Sequence, residues 1–178
     1  MARKHITFHP GRSFLTLVGL LTITVGFSAS SRAQLCEDTQ VYLMDNARAN
    51  YSLGYENFRN EDWCMALPYT KWILENEPFF SSGEPDERNY RRLADIYNGL
   101  ALMAESGPTR QAYVDSALVA YEAMDRVIAE QGFEVDETLE KLLRGRFYET
   151  HADYIDDADT EAFELYMEVY EADPEETD

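Results

Sequence analysis

From residue 34 onward the chain carries no strand signal, and this constrains its fold more than any other feature. Val and Ile are sparse there, while Ala, Leu, Glu and Tyr dominate. Most of these are good helix formers. Apolar residues recur three and four apart, as in Leu93, Ile96, Tyr97, Leu100 and Met103, which is the spacing of one helix face. Turn signals interrupt such stretches at 78–85, 106–108, 131–132 and 156–159. The pattern predicts helices over 38–59, 62–76, 86–105, 108–130, 136–155 and 160–172. Six helices with short connections make three pairs. A pair cannot bury its apolar stripe alone, so the pairs must stack.

The first 33 residues differ from the rest. Arg3, Lys4 and Arg12 precede an apolar run over 14–27, and a short polar run ends in Ser31-Arg32-Ala33. That is the order of a secretory signal peptide. The run is shorter than the ~20 apolar residues that a membrane span needs. Residues 1–33 therefore read as a signal, with Gln34 first after cleavage. The expected location is periplasmic or extracellular, with no transmembrane span left.

All 34 acidic residues lie beyond this segment. Without it, 11 Lys and Arg oppose them, a formal charge of −23. Such a surface repels nucleic acid and anionic lipid, and it suits a salty medium. Two cysteines remain, Cys36 and Cys64. In an oxidising compartment such a pair reads as one disulfide. Two buried thiols acting as small apolar groups are the alternative.

Residues 47–80 form a stretch of 34 residues that resembles a tetratricopeptide repeat. Leu53-Gly54 matches the Leu-Gly of that family's first helix, and Asp62-Trp63 its turn into the second. Ala66 follows Gly54 by 12 residues, and Pro78 follows Ala66 by 12. Departures are Asn57 (the aromatic falls at Phe58), Thr70, and Pro68, which demands a kink or a late helix start. A second repeat is stretched: Leu93-Ala94, Tyr97, Ala117 and Tyr121 fit, but 23 residues separate the two alanines and Ala129 replaces the closing Pro. A third keeps Ala162, Tyr166 and Pro174 but has Glu149-Thr150 where its first helix should carry the small pair. The resemblance implies an all-α fold, a short right-handed α-solenoid of about three antiparallel helix pairs. An N-terminal helical segment (34–46) would precede a domain over 47–178, divided as 47–80, 87–130 and 136–178.

Catalytic signatures are missing. His151 is the one histidine beyond residue 33, and it reads as a surface or groove residue. No Gly-x-Ser-x-Gly, paired Cys-x-x-Cys or glycine-rich phosphate loop occurs. The acidic run Asp153, Asp156, Asp157, Asp159, Glu161 lacks the spacing and glycine of a calcium loop. It reads as solvated charge, with Asp159 or Thr160 capping the last helix. No metal, cofactor or catalytic residue is expected.

The scarce cations say more. Arg48, Arg59, Arg88, Arg91, Arg92, Arg144 and Arg146 fall on the first helices of the pairs. The family resemblance implies that these helices line a concave groove that holds peptides. In that register Tyr51, Tyr55, Arg59, Arg91, Asp95, Phe147, His151 and Tyr154 would face a protein partner. Arg and Tyr favour recognition surfaces, and a guanidinium can clamp a carboxylate in bidentate fashion. Alternatively, each Arg pairs with a neighbouring acid on a solvated face. The expected function is a non-enzymatic adaptor of the cell envelope. The alternative is a structural subunit that self-assembles or docks through its last helix, with Tyr166 and Tyr170 near the contact.

Overall fold

The computed structural model describes residues 34–36 and 39–172. The signal-like segment 1–33 and Pro174 lie outside them. Among the described residues there are six α-helices and no strand: α1 (Ala47–Arg59), α2 (Trp63–Asn76), α3 (Arg88–Met103), α4 (Pro108–Gln131), α5 (Glu137–Thr150) and α6 (Ala158–Ala172). A single 3-10 turn spans Gln34–Cys36 and another Ala152–Tyr154. Among the described residues no helix is long and apolar enough to cross a membrane.

Short side chains fix the helix starts. Asn46 accepts a hydrogen bond from Ala49 N at 2.9 Å, and Asp136 accepts one from Leu139 N at 3.0 Å. Asp62 caps α2 through Met65 N. Each satisfies a donor that the first turn leaves unpaired. Gly107 and Pro108 open α4, and Gly132 closes it in the left-handed region at φ 69°.

Three helix boundaries differ from the sequence expectation, at the start of α1, at the start of α6 and at the end of α5, which stops at Thr150 and not at 155. Residues 39–46 are not helical. Fully buried Asn50 accepts from Met44 N at 2.8 Å and donates to Met44 O at 2.7 Å, so it pairs with that segment as another strand would. This tie and the Asn46 cap hold the chain extended before α1. Pro68 lies inside α2 without delaying its start. The last helix begins at Ala158, so Asp159 and Thr160 occupy its first turn, not its cap.

Sequential helices lie against each other: α1 on α2, α3 on α4, α5 on α6, with α2 also on α3. Gly54 is buried, and a Cβ there would stand 3.0 Å from Tyr69 Cβ, so α1 approaches α2 where the bare backbone allows it. The main core runs through α2 to α5. Ile96, Leu100, Val114, Met124 and Phe147 fill it, and Ala66, Ala94, Ala101, Ala117 and Ala120 let the helices close up. Burial of such side chains contributes roughly 1.5–3 kcal/mol each. Cys36 and Cys64 form a disulfide across 28 residues, which ties the first 3-10 turn to α2.

Candidate functional site

Two clusters of side chains flank α3, and five of the eight expected groove residues fall in them.

The first lies where α1 meets α3 and the segment after α2. Tyr51 and Tyr55, one turn apart on α1, stack with ring centroids 6.2 Å apart. Phe80 meets Tyr51 edge-on at 5.4 Å. Arg92 enters this aromatic wall. Its guanidinium carbon is 4.9 Å from the Tyr51 centroid, 5.3 Å from Tyr55 and 5.7 Å from Phe58. Each face attracts a cation through its ring quadrupole. Arg59, exposed, reaches the Tyr55 ring at 5.8 Å. Beside these rings opens a cavity of about 840 Å³. Arg48, Arg88 and Arg92 line it together with Ser52, Glu56 and the 80–83 segment.

Arg92 is only 7% exposed. Among the described residues it makes no ion pair. Asn89 Oδ1 accepts a hydrogen bond from its Nη1 at 2.9 Å. Asn89 is itself held, donating to Pro78 O at 3.0 Å and Phe80 O at 2.8 Å. One buried amide thus fixes both the segment after α2 and the guanidinium.

The second cluster lies between α3, α4 and α5. Arg91 Nη2 meets Glu87 Oε1 at 2.7 Å and Glu140 Oε1 at 2.5 Å. Burial raises the Glu140 carboxyl above its ordinary range, and Arg91 pulls it back. Asp95, also on α3, is pushed up to about 6 by burial, against Arg91 and Arg92. Arg144 on α5 grips Asp125 on α4 through two hydrogen bonds of 2.7 Å, and its guanidinium lies 5.0 Å from the Tyr121 ring. The guanidinium charges of this cluster are met by its own carboxylates, although Arg91 Nε is buried without a hydrogen-bond partner among the described residues.

The expected groove residues therefore separate. Tyr51, Tyr55 and Arg59 come together at the cavity. Arg91 and Asp95 turn toward α5. Phe147 and His151 do not face an open groove: they are 2% and 0% exposed. Phe147 packs edge-on against Tyr121 at 5.4 Å. His151 is the C-cap of α5, with Nε2 2.8 Å from Asn98 Oδ1. Burial and then Arg110 lower its pKa to about 4, so it stays neutral. Both side chains are core, because the turn after α5 folds back against α3. Tyr154 braces the start of α4: its hydroxyl accepts from Gly107 N at 3.2 Å, and its carbonyl accepts from Gln111 Nε2 at 3.0 Å.

The register read on α3 missed Arg88 and Arg92, and on α1 it missed Arg48. Their signal was present as cations four residues apart at 88 and 92. The 80–83 segment gave no signal beyond a turn.

No family model matches the chain, and neither the curated proteins nor the solved structures hold a match to it.

Proposed function

We propose that this protein is a non-enzymatic adaptor of the cell envelope that holds a segment of another protein. Its helix pairs would be antiparallel and stacked as a short right-handed solenoid of tetratricopeptide-like form. The sequential contacts of the helices and the close approach at Gly54 support that arrangement. Export is inferred from the order of residues 1–33 alone.

The observation that carries the binding role is the α1/α3 surface. It offers stacked tyrosines and arginines beside an open cavity. Such side chains give large contact area and directional hydrogen bonds at modest entropic cost. The lone imidazole beyond residue 33 is sealed in the core, which leaves Glu56 as the carboxylate of this surface and no imidazole beside it. Affinity and positioning are then the whole mechanism. The test is recovery of a partner from the cell envelope by the wild-type chain and by Tyr55→Ala and Arg48→Glu. Loss of the same partner in both, with unchanged helicity, supports the adaptor. Equal recovery by all three sinks it. Arg91→Glu is an unsuitable control, because Arg91 bridges Glu87 and Glu140.

A second reading rests on α6. Phe163, Met167 and Tyr170 are 63%, 37% and 51% exposed and share one face. A self-assembling subunit would cover them. Sedimentation of the wild type against Phe163→Ser decides: a mass that falls with the substitution favours assembly, and a monomer in both removes it.

A further inference from the structure

We infer that the floor of the α1/α3 cavity is a binding site for a phosphate-type oxyanion. The inference goes beyond the adaptor reading: the ligand chemistry stands whether or not a protein carries it.

Arg92 is the anchor. It is more than nine-tenths buried, yet no carboxylate among the described residues pairs with it. Cation–π contacts, the Asn89 amide and a long 3.5 Å hydrogen bond from Nη2 to the Tyr51 hydroxyl offset part of the desolvation cost of its charge, and none of them neutralises it beside the cavity it lines. Asn89 fixes the guanidinium in advance, so little freedom remains to be lost on binding.

Arg48 brings a second guanidinium from α1 and makes no ion pair among the described residues. Arg88 brings a third, with its Nε on Asp86 at 3.0 Å. Glu56 is the carboxylate of the lining. The lining stays positive after Asp86 and Glu56 are both counted. That stands out on a chain of formal charge −19, where most of the surface repels anions. The donors come from two helices and, through Ser82, from the segment between them. A tetrahedral oxyanion accepts from several directions at once, whereas a carboxylate presents one plane to one fork. Removing one charged contact should weaken binding about tenfold or more.

The test is calorimetric titration of the full chain as its cell makes it, at constant ionic strength. The probes are inorganic phosphate, phenyl phosphate and glutarate. Saturable binding of either phosphate, at least about tenfold tighter than glutarate and weakened about tenfold by Arg92→Met, supports the site. Tighter binding of phenyl phosphate assigns an esterified ligand seated on the tyrosines; equal binding assigns the free anion. Should Arg92→Met fail to fold, Arg48→Met at the exposed rim must still weaken binding. Binding indifferent to both variants, glutarate as tight as phosphate, or no saturable phosphate binding overturns the inference.

Discussion

Arg91 and Arg92 are neighbours in the chain and meet opposite surroundings. Arg91 points toward α5 and is claimed by Glu87 and Glu140. Arg92 points toward α1 and is held by three aromatic rings, Asn89 and the Tyr51 hydroxyl, with no ion pair among the described residues. One guanidinium is spent on joining elements. The other keeps its charge available beside a cavity. In a chain with more than two acids for every cation, pairing is the default, so an unpaired buried arginine marks where structure has been arranged around something else.

The two sides of α3 are also secured by different means. The α1/α2 side carries the Cys36–Cys64 disulfide, and the α5 side relies on ion pairs. This contrast can be broken in four ways, in descending size. Replacing both cysteines by Ala frees a closure of 28 residues and should lower stability by about 3–4 kcal/mol. Urea unfolding measures it, and an unchanged midpoint would mean that the tie does little.

Next, Arg91→Met strands two largely buried carboxylates and should cost about 3 kcal/mol. Arg92→Met strands only an amide oxygen and should cost about 1 kcal/mol. The inequality is the point: if Arg92→Met is the more damaging, Arg92 is structural and the comparison collapses.

Third comes pH. Asp95 has its folded pKa raised to about 6 by burial, so the folded state holds its proton more tightly than the unfolded chain does. Stability from this group is full at low pH and is lost as pH rises through about 6. From pH 7 down to 4.5 the wild type should gain about 2 kcal/mol relative to Asp95→Asn. His151 acts in the reverse sense. Its folded pKa is lowered to about 4, so acid removes stability below its ordinary value near 6.5. The difference between wild type and Asp95→Asn isolates the first effect. A pH-independent difference would refute it.

Smallest is the bridge from α5 to α4. Asp125 is half exposed, so Asp125→Asn should cost about 0.5–1 kcal/mol despite the two-pronged geometry. That loss should shrink in 1 M salt. A loss insensitive to salt would point to packing of Arg144 on Tyr121 instead.

The all-helical class was legible because it is local. Periodic apolar spacing and capping residues such as Asp62 and Asp136 act over one or two turns. Errors gathered where a side chain bonded far along the surface or across the fold. Asn50 reads as an ordinary polar helix residue, and its pairing with Met44 is what stops the helix from starting earlier. Glu149-Thr150 drew notice as a missing small pair, but the close contact in α5 is at Gly145, where a Cβ would run into the Tyr166 ring. Likewise Gly99 on α3 admits the Trp63 indole. Neither glycine has a local signature, since only the neighbouring helix demands the space.

The candidate site divides along the same line. Tyr51 and Tyr55 belong to one helix face, and their spacing alone places them together. Whether a given arginine meets an acid, a ring or a cavity depends on which helix lies opposite, and here only the tertiary structure decides. Arg91 and Arg92 lie about 100° apart around α3. That small rotation directs one to the carboxylates of α5 and the other to the rings of α1. The sequence by itself determined the helices, their turns and the scarcity of cations. The packing of α1, α3 and α5 determined which of those cations meets carboxylates and which meets aromatic rings.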